Sequence, residues 1–204
     1  MGKPLGAPAF IIAGADEAGR GPLAGPVVAA AAILTAVQRE RLLDAGLRDS
    51  KKLTPKRREA LFEEICDLGV LWRAQAASAR RIDRINILQA SLWCMKRSIE
   101  RLALSPSLVL VDGNRAIPGL ALPQKPVIKG DDRVPAIAAA SVIAKVLRDR
   151  VMTVMDRVYP QYSFAKHKGY PSALHKSLIA EYGPSPIHRL SFRGVLADDE
   201  ETFS

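Results

Sequence analysis

The sequence is short of several things that would narrow its class. Of 204 residues, two are cysteine and three are histidine. Cys66 and Cys94 form no C-x-x-C pair, so neither a zinc cluster nor a disulfide framework is encoded, and two thiols suit a reducing compartment. No uninterrupted apolar run approaches the ~20 residues that span a bilayer. The first residues hold one early lysine, then Pro and Gly, and do not read as a signal peptide. The expected location is therefore cytoplasmic. Negative charge is also in deficit, with 21 Asp and Glu against 30 Lys and Arg and a formal net charge of +9. A chain this basic commonly meets a polyanion, nucleic acid first among them, although basic proteins without such a partner also occur. Two familiar phosphate loops are missing. Gly19-x-Gly21-x-x-x-Gly25 lacks the dinucleotide-binding spacing, and no Gly-Lys-Ser/Thr closes it.

What is present is ordinary globular composition, 48% hydrophobic and 25% charged, in a chain long enough to bury a core. Short apolar runs bounded by Gly and Pro predict strands at 10–15, 27–34, 70–77, 108–111 and 126–128. Helices are expected at 36–44 and from the Thr54 cap and Pro55 to Gly69, where Leu61, Phe62, Ile65 and Leu68 share a face. A further helix is expected over 79–103, a small-residue helix over 137–158, and a short one ending near 182. Strands interleaved with helices argue for α/β layers. The expected division is a catalytic domain at 1–158 and a helical C-terminal segment at 159–204 packed on it. That segment ends in an acidic tail expected to be disordered.

Three of the strands end on carboxylates: Asp16-Glu17, Asp112 and Asp131-Asp132. An Asp-Glu pair in a turn is most often merely solvated. Parallel pairing of the first and fourth strands would change that, bringing Asp16 and Asp112 out side by side at the edge where open α/β sheets place their sites. Gathered carboxylates repel, and a divalent cation removes the penalty. With no His or Cys cluster, all-oxygen ligands suit Mg²⁺ or Mn²⁺. Two such ions are a standard device for attack of water on a phosphodiester. Arg20, Lys51, Lys52, Lys129, Lys166 and Lys168 would hold a polyanion at the rim.

The motifs D-E-A-G-R-G-P-L-A-G-P-V from Asp16, D-S-K-K-L from Asp49, L-V-D-G-N from Leu110, K-G-D from Lys129, I-A-A-A-S-V-I-A-K-V-L-R-D from Ile137, K-H-K-G-Y-P-S-A-L-H from Lys166 and H-R-L-S-F from His188 together resemble the ribonuclease HII family. They are spread along nearly the whole chain. The resemblance implies an RNase H-like fold, a mixed sheet flanked by helices. It implies four catalytic and metal-holding acids, matching Asp16, Glu17, Asp112 and Asp131, the last chosen over Asp132 by alignment to K-G-D. It implies cleavage of the RNA strand of RNA–DNA hybrids, and incision at single ribonucleotides in duplex DNA, with two Mg²⁺ or Mn²⁺ ions. Gly19, Arg20 and Gly21 are then expected to read the 2′-hydroxyl, Tyr170 to pack on the sugar, and Lys51 to touch phosphate. Without the resemblance, Tyr170 reads as a core aromatic. His167, His175 and His188 are expected to be packed rather than catalytic. The chain is too short for the extra N-terminal domain of the sister type, ribonuclease HIII, and is expected to act as a monomer. Two rivals remain: a DNA-cutting nuclease on the same fold, and a non-catalytic nucleic-acid-binding module.

Overall fold

The computed structural model describes residues 10–47 and 53–196. Lys51, Lys52 and the acidic tail lie outside the described residues. The elements run β1 (Ile12–Ala18), β2 (Val27–Ile33), α1 (Ala36–Asp44), α2 (Pro55–Asp67), β3 (Leu71–Ala77), α3 (Ala79–Ile85), α4 (Ile87–Glu100), β4 (Leu108–Asp112), β5 (Gln124–Val127), α5 (Gly130–Arg133), α6 (Pro135–Val158), α7 (Phe164–His167) and α8 (Ala173–Tyr182). A 3-10 turn, Pro160–Tyr162, joins α6 to α7.

The five strands form one mixed sheet in the order β3-β2-β1-β4-β5. β1 is antiparallel to β2 and parallel to β4, so the parallel pairing that the carboxylates required is present. Every residue of β2, V-V-A-A-A-A-I, is buried. Its side chains alternate between the two faces of the sheet. Ala30 and Ala32 pack with α6 and α2, whereas Val27, Ala29 and Ala31 pack with α4. A strand of small residues buried on both sides lets both helices approach closely. α6 answers with its own alanines, Ala138, Ala139, Ala140 and Ala144, all buried. Ile137 and Ile143, wholly buried on the same helix, each contribute roughly 2 kcal/mol of burial.

Backbone meets backbone at Gly14 of β1. A Cβ there would sit 2.3 Å from the carbonyl carbon of Ala136 and 2.3 Å from the nitrogen of Ile137. Only glycine lets β1 lie against the first turn of α6.

One expected helix is two. The stretch 79–103 breaks at Asn86, which adopts a left-handed φ of 63°. With ψ at 165° it lies outside the left-handed helical basin that Asn tolerates, in a region costly for any side chain, and its carboxamide caps α4 by accepting from the Gln89 amide at 3.0 Å. The Ile-Asn-Ile context hid the break, because apolar residues continue on both sides in helical register. The K-G-D-D-R stretch, expected as a strand exit, forms the short helix α5.

The segment after α6 is stitched to the glycine-rich loop between β1 and β2. Leu23 donates its amide to the Gly169 carbonyl, Gly25 to Ile187, and Arg189 to Leu23, each at 2.8 Å. Ala24 packs with Met152, Tyr162 and Phe164, and Leu23 with Ile179 and Val195. Among the described residues no helix is long and apolar enough to cross a membrane.

Candidate active site

β1 pairs with β4 only as far as Ala15, opposite Val111. It continues three residues further along β2, with Asp16 opposite Ala30, Glu17 opposite Ala29 and Ala18 opposite Val28. The two acids therefore lie inside the strand, slightly earlier than the sequence suggested, but past the end of the β4 ladder. Asp112 is the last residue of β4. Parallel pairing thus presents Asp16 and Asp112 at neighbouring strand ends. The third acid arrives from α5. The Gly130 amide donates to Asp112 Oδ1 at 2.8 Å, and a Cβ at Gly130 would crowd Ile137 Cδ1 at 2.5 Å. That contact seats α5 so that Asp131, not the exposed Asp132, turns inward.

One carboxylate oxygen from each of Asp16, Asp112 and Asp131 lies within 4.8 Å of the others. Asp16 and Asp131 are buried. Burial, followed by the nearby charges of Glu17 and Asp112, raises the Asp16 pKa well above the ordinary carboxylate range, against the opposing pull of Ser141 and the Glu17 amide. That amide donates to Asp16 Oδ1 at 2.6 Å. Asp16 Oδ2 is buried and has no hydrogen-bond partner. An orphaned buried acceptor, among acids that repel one another, is what a bound cation would relieve. The donor set is oxygen only, which suits a hard divalent ion.

Glu17, half-buried, stands outside that triad and meets Arg20 Nη1 at 3.4 Å. A cavity of about 350 Å³ gathers Asp16, Glu17 and Asp112 with Gly19, Arg20 and Gly21, and with Ser141, Lys145 and Tyr170. Most of the site residues named from the sequence therefore share one wall. A larger cavity of about 870 Å³ adjoins it through Lys145 and Tyr170 and is lined by Lys56, Arg150, Lys166 and Lys168. Lys129 is exposed in the turn before α5 but lines neither cavity.

Tyr170 is 41% exposed, so it is a rim residue and not the core aromatic that composition alone suggested. Arg148 and Lys145 flank its ring, each 5.6 Å from the centroid. The three histidines support it from behind. The Ser185 amide donates to His188 Nδ1 at 2.8 Å. This leaves His188 Nε2–H to donate to His175 Nε2, 3.0 Å away, and His175 Nδ1–H to donate to the Tyr170 carbonyl at 2.9 Å. The chain of bonds requires both rings neutral. Burial pulls both down to about 4. Unfolded histidines take up protons near pH 6.5, so between pH 6.5 and 4 these two rings bind more protons in the unfolded chain than in the folded one, outnumbering the single carboxyl of Asp16, whose raised pKa acts the other way. Stability is expected to fall as pH falls through that window. Thermal melts at pH 7, 6 and 5 check this; a melting temperature that does not fall would contradict the neutral pair.

Sequence reasoning quoted the motifs of α6 and of His188–Phe192 but gave no role to Ser141, Lys145, Arg148 or Arg189. Polar residues at 141, 145 and 148 of an otherwise alanine-rich helix were the available signal, since their spacing puts them on one face.

The family model described as Ribonuclease HII matches residues 13–195. Among solved structures, the chain is similar to ribonuclease H2 from Pyrococcus horikoshii, at 30% identity and a TM-score of 0.76, covering 91% of this chain and 95% of that one. It is similar to RNase HII of Archaeoglobus fulgidus, solved in complex with PCNA, at 30% identity and a TM-score of 0.74, covering 88% and 92%. Bst-RNase HIII, solved in complex with Mn²⁺, shares the fold at 18% identity and a TM-score of 0.73, covering 91% of this chain and 68% of that one. With its mixed sheet, its acidic triad and a family match spanning nearly the whole chain, this protein belongs to the ribonuclease HII family and is a metal-dependent endoribonuclease.

Proposed function

We propose that the protein cuts the RNA strand of RNA–DNA hybrids and also incises duplex DNA at single embedded ribonucleotides, serving ribonucleotide and primer removal in the cytoplasm. The observation that carries this reading is the convergence of Asp16, Asp112 and Asp131, the first two of which line a cavity together with Gly19, Arg20, Gly21 and Tyr170. Cleavage chemistry and a ribose-sized recognition wall then occupy one place.

Asp16, Asp112 and Asp131 would hold a first divalent ion, and Glu17 with Asp16 or Asp112 a second. When bound, Mg²⁺ or Mn²⁺ supplies Lewis-acid activation of water and of the scissile phosphate. The chain's own residues do the rest. Glu17 and Asp131 accept protons from water and orient it. Backbone amides and Arg20 in the Gly19–Gly21 loop meet the 2′-hydroxyl, the group that separates ribose from deoxyribose. Tyr170 offers an exposed ring to the sugar, backed by two cations. Lys145, Lys166 and Lys168 hold the phosphate backbone along the adjoining cavity, with Lys51 as a further phosphate contact.

The test is a DNA duplex carrying one ribonucleotide, incubated with Mg²⁺, with Mn²⁺, or with chelator. Incision is expected on the 5′ side of the ribonucleotide, leaving a 3′-hydroxyl, and only with metal. Equal cutting of an all-DNA duplex would favour a DNA nuclease on the same fold. Metal-independent binding without cutting would favour a plain binding module.

A further inference from the structure

Two arginines, Arg148 and Arg189, are wholly buried. Among the described residues neither joins an ion pair. Instead both direct their donors to carbonyls of one loop. Arg189 donates from Nη2 to the Gly19 carbonyl at 2.6 Å, from Nη1 to the Arg20 carbonyl at 3.0 Å, and from Nε to the Gly25 carbonyl at 3.0 Å. Arg148 donates from Nε to the Pro26 carbonyl at 3.0 Å and from Nη2 to Ala24 at 3.2 Å. Burying a guanidinium without a counter-charge is costly. Two carbonyl bonds for Arg148 and three for Arg189 offset that cost, helped by the Tyr170 ring over Arg148 and the Phe192 ring over Arg189, while Arg148 Nη1 is left without a hydrogen-bond partner.

Peptide geometry gives those bonds a consequence. No cis peptide occurs among the described residues, and in a planar trans unit the N–H points opposite to the C=O. Pulling the Gly19 carbonyl onto Arg189 turns the Arg20 amide away from Arg189. Pulling the Arg20 carbonyl there does the same for the Gly21 amide. Gly19, Arg20 and Gly21 line the cavity that holds the acids, and Arg189 does not. The two amides thus point away from Arg189, on a loop whose residues line the cavity. Gly19 has to be glycine for this arrangement: its φ is +98°, and a Cβ would fall 2.1 Å from Arg148 Nε.

We propose that Arg189 is the positioning residue for ribose recognition, its guanidinium fixing the Gly19 and Arg20 carbonyls so that the Arg20 and Gly21 amides are preset as donors to the 2′-hydroxyl. This rests on the reading that the enzyme incises at ribonucleotides, and names what orients the reading loop. Arg189 comes from the C-terminal segment, some 170 residues from the loop it holds. The fork geometry, not the charge, is what matters, because a lysine ammonium cannot span three carbonyls.

The experiment compares wild type with Arg189→Lys in Mg²⁺. The measurements are kcat/KM for incision at one embedded ribonucleotide, the Ki of the matching all-DNA duplex as competitor, and the Mg²⁺ concentration at half-maximal rate. The expected result is a fall in kcat/KM of about tenfold or more, the worth of one or two mis-aimed donors, with Ki and the Mg²⁺ midpoint each unchanged within about twofold. An unchanged kcat/KM overturns the proposal, and so does a fall matched by a shift in Ki or in the Mg²⁺ midpoint. If Arg189→Lys does not fold, wild type decides alone. Without divalent metal, hydrogen exchange of the Arg20 and Gly21 amides is expected to slow when the ribonucleotide duplex is added and not when the all-DNA duplex is. No such difference overturns the proposal. Wild type that does not incise at the ribonucleotide would instead refute the functional reading itself, and the positioning role with it.

Discussion

Asp16→Asn is expected to lower the cleavage rate by more than about a hundredfold, beyond the loss typical of an outer-sphere partner of a metal site, while the protein still binds an RNA–DNA hybrid. The substitution keeps the shape and the Oδ1 acceptor that the Glu17 amide needs. It removes the charge that the triad contributes to a cation. The metal-free variant is also expected to melt no lower than wild type, because a neutral amide is relieved of burial and of the repulsion from Glu17 and Asp112. Added Mn²⁺ should raise the melting temperature of wild type more than that of the variant, since binding to the folded state stabilises it. Rate assays, hybrid binding and paired melts check all three outcomes. An active Asp16→Asn protein would remove Asp16 from the metal-holding set.

Gly14→Ala is expected to cost about 3 kcal/mol, the upper end of ordinary overpacking. The reason is what the new methyl would meet. All three nearest atoms are backbone of Ala136 and Ile137, the closest at 2.3 Å, and backbone at a helix start cannot rotate aside as a side chain can. The helix must shift as a body or the strand must bend. In a chain of this size, that loss corresponds to a fall in melting temperature of roughly 10 °C. Activity is expected to fall as well, because the displaced helix carries Ser141 and Lys145 of the cavity wall. Gly21→Ala is the stability control: nothing lies within 4 Å of its added Cβ and its φ is not left-handed. A Gly14→Ala protein as stable as Gly21→Ala would show that the α6–β1 contact yields.

Much of this site was legible because its main signals are local. Short apolar runs bounded by glycine and proline marked β1 and β2, and carboxylates at strand ends marked Asp16 and Asp112. Their meeting required a parallel β1–β4 pairing that no spacing encodes; it follows from how the sheet orders its strands. Asp131 was separable from Asp132 only by motif, whereas in space the separation comes from Gly130 binding Asp112. Asn86 was missed because a helix break made at a single polar residue leaves the apolar period intact. Arg148 and Arg189 were missed for a different reason. Arginine in a sequence reads as surface, and nothing local announces that it will be sealed against carbonyls donated by a loop more than a hundred residues away.

The longest helix carries a further consequence. Ser141, Lys145, Arg148 and Met152 recur on one face of α6 and meet, in turn, the acid Asp16, the cavity wall, the carbonyls of Ala24 and Pro26 and the far end of the same loop at Gly25. Eleven residues at about 1.5 Å each make a span of roughly 16 Å. The offset between the acid cluster and the far end of the glycine-rich loop is thus metered by a single helix, and not by the slack of connecting loops. A displacement of one end is carried along the helix to the other, so the spacing between the acids and the loop is kept or lost as a unit.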